Sequence, residues 1–236
     1  MDLSDNNLPG NPELISFSCF GTLVDWRTGI VNTLQPLLED YLISLDENEI
    51  FDLFTYYENE ITCGDFMYYR TVLSEVVHQI GRKLNVNLTA DDRECLIREL
   101  PSWKLYKDTL PALHLLKRSF KIALICNGDM DLLEKTILNA GIKFDVIITS
   151  ESIRNYKPSQ NLFIKALRTF KLPSDRIMHV SQNLSKDILP CNELGIPVTW
   201  INRYHHPLSS DPQEIARYEF KDLTSFANAF SGMKQG

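Results

Sequence analysis

Short apolar runs, each closed by small or polar turn-forming residues, recur along this chain with helical patterns between them. ELISFSCF (13–20) stands between Asn-Pro and Gly-Thr, and KIALICN (121–127), FDVIITS (144–150), RIMHVSQN (176–183) and IPVTWIN (196–202) repeat the pattern, with a shorter RYEF at 217–220. Runs of this length bounded by turn signals read as buried strands. DMDLLEKTILNAG (129–141) stops at a glycine suited to a C-cap, and SQNLFIKALRTF (159–170) starts after Pro158 with Ser159 as its cap. Strands alternating with helices of this size build a parallel sheet covered on both faces, an α/β fold.

The spacing is uneven. Roughly a hundred residues separate the first strand from the second, too many for a loop. Residues 27–104 read as helices: TGIVNTLQPLLEDYLISL, ENEIFDLFTYYENEI, GDFMYYRTVLSEVVHQIGRKL and TADDRECLIREL, the last with Thr89 as N-cap. The expected organisation is a Rossmann-like core of residues 1–26 and 105–236, with residues 27–104 inserted as a helical cap.

Composition narrows the function. The 236 residues are 44% hydrophobic, enough for a sizeable core. The net charge of -7 carries no basic stripe to neutralise phosphates, which speaks against nucleic acid and an anionic membrane surface. The N-terminal MDLSDNNLPGNPE is neither a signal start nor an Arg-rich transit peptide. No apolar run approaches the length of a membrane span. The 5 cysteines include no close pair, so a reduced, cytoplasmic protein without a zinc site is expected. The oligomeric state is left open, a homodimer being one option.

In an open parallel sheet, ligands bind beyond the carboxyl ends of the strands, where strand order reverses. Strand 1 would deliver Ser18 and Phe20 there, strand 2 Cys126 and Asn127, and strand 4 Gln182 and Asn183, with Asp187 one turn on. The loop after strand 3 adds Tyr156 and Lys157.

With these pieces in order, the chain resembles the haloacid dehalogenase superfamily, in particular its 2-haloacid dehalogenase-like branch, from about residue 13 to 203. The matching pieces are FSCFGTLVDW, ICNGD, NYKPSQNLF, HVSQNLSKDILPCNELGIP and TWINR. The resemblance implies an Asp nucleophile, a hydroxyl residue for the reacting anion, a Lys that steadies charge and a closing acidic position. Carried over, these fall on Ser18, Cys126, Lys157 and Asp187. The phosphatase branch adds a second Asp for magnesium, and that position is Phe20. No metal and no cofactor are expected.

Two of those four positions have changed type. A carboxylate attacks as an anion, whereas a serine hydroxyl needs a base, and no His occupies a motif position. Arg is also missing from the cap: between Arg27 and Arg70 the chain has no Lys or Arg but nine acidic residues, among many aromatic ones. From this we expect small anions to be repelled and an apolar small molecule to be preferred. The favoured expectation is a non-hydrolytic, cofactor-independent reaction, cyclisation or intramolecular cycloaddition of the Diels-Alderase kind, with Lys157, Asp187, Asn127 and Ser18 as the catalytic set. Phe20, Cys126, Tyr156, Gln182 and Asn183 would bind substrate. The alternatives are a dehalogenase-type hydrolase with an altered or engineered nucleophile, and a non-catalytic binding protein.

Overall fold

The computed structural model describes residues 12–139, 141–207 and 216–231. Most of the N-terminal stretch read above lies outside them. Six parallel strands form one sheet: β1 (Leu14–Phe17), β2 (Lys121–Cys126), β3 (Val146–Thr149), β4 (Ile177–Ser181), β5 (Val198–Ile201) and β6 (Tyr218–Phe220). Their order is β3-β2-β1-β4-β5-β6. The chain builds outward from β1 to one edge, then returns to its other side, so the switch point lies between β1 and β4. All four residues of β1 are buried, as a strand covered on both faces requires. The six apolar runs match these six strands, each trimmed by a few residues.

Six helices separate β1 from β2: α1 (Trp26–Asp40), α2 (Glu47–Thr62), α3 (Tyr69–Lys83), α4 (Ala90–Arg93) and α5 (Cys95–Glu99) of the insertion, and then α6 (Thr109–Leu116). α2 opens with a reciprocal capping box between Asp46 and Glu49, and Thr89 caps α4 as the sequence indicates. Several boundaries differ from expectation, among them the helix Asn161–Phe170, which has Gln160 rather than Ser159 at its cap position. α1 stops at Asp40 rather than running to residue 45, because Leu42 takes a left-handed conformation at φ 62°. α3 begins at Tyr69 rather than Gly64. Its first amides are capped by a residue remote in sequence: Asp129 accepts from Tyr69 N at 2.7 Å and Arg70 N at 3.0 Å. That carboxylate follows β2, so it fastens the helical insertion to the sheet.

The sheet is covered on one side by α6 and α10 (Leu223–Ser231), and α8 (Asn161–Phe170) packs against β2 and β3; α7 (Met130–Asn139) follows β2 and α9 (Leu189–Glu193) follows β4. A single apolar cluster runs from Phe17 and Met178 on the sheet through Leu23 to Phe54 and Val72 of the insertion. Sheet and insertion therefore share a core.

Candidate active site

The turn after β1 is fixed tightly. Gly21 holds φ 81°, and a Cβ there would come within 3.0 Å of Gln182 Oε1 and 3.1 Å of Trp26 Nε1. Thr22 Oγ1 accepts the Gln182 amide at 3.0 Å, while its carbonyl accepts from Arg203 at 2.9 Å. Arg203 also forks onto Asp108 and stacks over Tyr106 at 3.9 Å. These ties hold the end of β1 against the loops after β4 and β5.

Ser18, one residue beyond β1, is buried, and its Oγ accepts a hydrogen bond from Lys157 Nζ at 3.2 Å. Lys157 is 3% exposed. Its ammonium also donates to Ile125 O at 3.0 Å and to Asp187 Oδ1 at 2.6 Å. Three protons meet three acceptors, and the group is complete. Its main chain is clamped by Asn127, whose Oδ1 accepts from Lys157 N at 2.9 Å and whose Nδ2 donates to Lys157 O at 3.3 Å. The Asn127 amide, placed among catalytic groups from the sequence, is occupied with holding the lysine.

Asp187 receives Lys157 on one oxygen and Ser181 Oγ on the other at 2.9 Å. His179 Nε2 lies 2.9 Å from Oδ1, and His179 Nδ1 lies 2.9 Å from Ser16 Oγ. Burial alone would raise the Asp187 carboxyl, but the charge of Lys157 and the His179 hydrogen bond overcome it and hold the group well below the usual carboxylate range. Burial lowers His179 despite its carboxylate partner, which keeps the ring neutral. A neutral ring donates from Nε2 to Asp187 and accepts the Ser16 hydroxyl at Nδ1. The imidazole thus supports Asp187 and has no contact with Ser18.

Asp187 reaches Lys157 from a π-turn, Leu184–Ile188, whose wider winding carries one more residue than an α-turn. Asn183 caps it, accepting from Lys186 N at 2.8 Å. The turn brings both Lys186 and Asp187 to the same cavity. Across from them stands Glu58 of α2, 3% exposed and paired with Lys186 Nζ.

That cavity measures about 40 Å³ and is lined by Ser18, Phe20, Trp26, Glu58, Tyr69, Cys126, Asn127, Lys157, Asn183, Lys186 and Asp187. Seven of the nine residues singled out from sequence are brought together here. Tyr156 and Gln182 are not. The Tyr156 hydroxyl donates to Met67 O at 2.9 Å and its ring stacks on Phe66, so it faces a separate, larger hollow of about 280 Å³ beside residues 62–66. Gln182 lies against the Gly21 turn, with its backbone amide on Thr22 Oγ1. The convergent charged groups mark the smaller cavity as the candidate site, despite its size.

The lining departs from the apolar one expected. Of the aromatic residues of the insertion, Tyr69 reaches the cavity, while Phe54 packs edge-on to Trp26 and Phe51 also turns to that indole. These two rings join α2 to α1. Eight of the nine acidic residues are exposed, and the ninth, Glu58, points inward beside a lysine. The acidic stretch therefore presents one compensated charge to the cavity.

Sequence reasoning missed Glu58 and Lys186. The buried residues of α2 are Ile50, Phe54 and Glu58, a spacing of four that puts a carboxylate on the inward stripe. That period was readable. Lys186 needed the π-turn, which no residue type announces.

Cys126 donates weakly to Asn127 O at 3.2 Å. Its neighbour Cys19 is kept a thiol by their mutual hydrogen bond and by burial, which does not suit nucleophilic sulfur. A hard divalent cation does not fit this donor set either. Asp187 is committed to a cation and a histidine, Ser18 offers a hydroxyl, and Phe20 offers a ring stacked on Tyr69 at 6.2 Å.

Comparison with known proteins places this geometry. A 2-haloacid dehalogenase of Pseudomonas fluorescens, the (S)-specific enzyme, is 24% identical over 212 residues, covering 85% of this chain and 90% of that one. The (S)-2-haloacid dehalogenase H-109 of Pseudomonas putida is 34% identical over 101 residues, and the chain spans 45% of its length. Among solved structures, the L-2-haloacid dehalogenase of Xanthobacter autotrophicus with chloropropionic acid covalently bound superposes with a TM-score of 0.79 at 17% identity, over 94% of this chain and 99% of that one. The family model described as haloacid dehalogenase-like hydrolase matches residues 14–195. With the sheet order and the coverage in agreement, the chain belongs to the haloacid dehalogenase-like hydrolase family.

Proposed function

We propose that this protein is a hydrolase for a small, polar organic substrate, and that it works without a covalent enzyme ester. The observation that carries the reading is the saturated ammonium of Lys157. A serine nucleophile needs a base, and the basic group beside Ser18 already donates all three of its protons, one of them to Asp187. Attack by serine on a carbon-halogen bond would also yield an ether. An ether has no carbonyl for water to open, so the enzyme would stall after one turnover.

Direct attack by water remains. It turns R–X and water into R–OH, a proton and X⁻, and needs one group to take the proton. Asp187 is enclosed by Lys157, His179 and Ser181, whereas among the described residues Glu58 is hydrogen-bonded through one carboxylate oxygen, to Lys186. Glu58 is the base in this reading, and Lys157 holds Ser18 and the substrate end of the cavity in a fixed positive field. The dehalogenases among the relatives support a hydrolytic reaction. The ring closure expected from the sequence calls for a roomy apolar chamber. A cavity of about 40 Å³ with four charged side chains favours hydrolysis instead.

The test is halide release from a panel of short 2-haloacids, run beside phosphate release from phosphate esters. Halide from the native chain above a heat-killed control supports the reading. Silence of the native chain together with activity of Ser18→Asp would show that hydrolysis here requires the carboxylate, and would overturn it.

A further inference from the structure

All 5 cysteines are free thiols, and Cys63 is exposed while the others are buried. Two of the buried thiols meet. β1 and β2 pair in parallel from Leu14 opposite Lys121 to Phe17 opposite Leu124, and the same count carried two residues further sets Cys19 opposite Cys126. Neighbouring strands run about 4.8 Å apart, inside the Cα separation of roughly 4.4–6.8 Å that a disulfide spans. Residues in register turn their side chains to the same face, and these two share a hydrogen bond. Both are held in place. Cys19 O accepts from the amides of Thr22, Leu23 and Val24, and Cys126 closes β2 with its Sγ on Asn127 O.

The two differ in access. Cys126 lines the cavity beside Ser18 and Lys157, whereas Cys19 lies behind it in the shared core. At about 40 Å³ that cavity has room for a molecule the size of water or hydrogen peroxide and none for a peptide disulfide.

We propose that Cys126 and Cys19 form a peroxide-responsive dithiol site, entered through this cavity, that closes to a disulfide and reopens on reduction. In the first step Cys126 Sγ attacks one oxygen of hydrogen peroxide. The O–O bond breaks, the second oxygen leaves as water, and Cys126 becomes a sulfenic acid. In the second step Cys19 Sγ displaces the sulfenic hydroxyl: the S–S bond forms, the S–O bond breaks, and the Cys19 proton leaves with the hydroxyl as water. Two thiols and one peroxide give one disulfide and two waters. Burial keeps Cys19 a thiol at rest, so the pair is slow toward oxidants in general. Contact makes the second step intramolecular, so Cys19 captures the sulfenic acid before a further peroxide does. The bond ties together the strand ends that present Ser18 and Asn127, and peroxide thereby alters the cleft reversibly.

Non-reducing peptide mapping of the whole chain tests this, with hydrogen peroxide and oxidised glutathione applied at the same concentration. Peroxide is expected to give one linked pair of peptides carrying Cys19 and Cys126, lost again on dithiothreitol. Oxidised glutathione is expected to mark the exposed Cys63 and to form the link about tenfold more slowly or worse. In Cys19→Ser, Cys126 should gain oxygen instead of a partner. Native protein in which Cys126 gains oxygen while Cys19 stays free, in which both stay free while Cys63 is oxidised, or in which oxidised glutathione forms the link as fast as peroxide would overturn the proposal. The deciding readout is made on the native chain and needs no turnover, so neither a misfolded variant nor an absence of halide release obscures it.

Discussion

Lys157 Nζ lies 3.2 Å from Ser18 Oγ and 2.6 Å from Asp187 Oδ1, so one buried ammonium joins the end of β1 to the π-turn after β4. The Lys157 and Asp187 side chains are 3% and 2% exposed. Breaking such a pair strands a charge in the interior, a loss of about 3–5 kcal/mol. Lys157→Met is therefore expected to lower unfolding stability by that order in urea titrations, and adding Asp187→Asn should restore part of it. A loss below about 1 kcal/mol would show that Asp187 is not a buried anion.

Ser18 accepts a hydrogen bond and does not attack in the reading advanced above. Ser18→Ala should keep turnover within about threefold, whereas a nucleophile or its equivalent would lose 100-fold or more. The oxygen source gives a sharper check. Under single-turnover conditions in ¹⁸O-water the native product should carry the label at once, and the Ser18→Asp product should first carry an unlabelled oxygen from the new carboxylate. Unlabelled native product would assign the attack to the protein.

Glu58→Gln keeps the shape of the side chain and removes its capacity as a base. General-base contributions run to about 100-fold or more, so halide release should fall by that order while circular dichroism stays unchanged. An effect under about fivefold would take Glu58 out of the proton transfer.

Acid should destabilise the fold in two stages. His179 is lowered by burial, so the unfolded chain binds its proton first as pH drops below the ordinary histidine value of 6.5. Asp187 is lowered by Lys157 and His179, so its contribution is complete above the ordinary value of 3.8 and is lost as pH falls further. Each site changes stability by at most about 1.4 kcal/mol per pH unit. Denaturation midpoints between pH 7 and pH 5 should fall in the native protein and fall less in His179→Asn; equal slopes would show that His179 is not held neutral.

Much of the architecture was legible because buried parallel strands and their turns are written locally. The runs ending at Phe20, Asn127 and Asn183 announced both the sheet and the residues at its carboxyl edge. The switch between β1 and β4 then brought Ser18, Lys157 and Asp187 into contact across about 140 and 30 residues of chain. What could not be read was direction. An aromatic such as Phe54 looks the same in sequence whether it faces a cleft or Trp26, and only packing against α1 decides. Nor could the cap of α3 be read near its own start, because Asp129 supplies it from beyond β2. Glu58 followed the readable period of Ile50 and Phe54, but eight exposed acids around it made a solvated face the simpler account.

Phe20 sits between Tyr69, 6.2 Å away, and Trp103, 6.0 Å away, as part of the core that sheet and insertion share. The consequence concerns substitution. At residue 18, serine and aspartate differ by a small polar group beside the buried ammonium of Lys157, and change there is open in both directions. At residue 20, a carboxylate would have to enter a packed trio of rings, with a buried charge and a void as the first result. A single substitution can exchange the first position, whereas the second is bound into the shared core and changes only if Tyr69 and Trp103 repack with it.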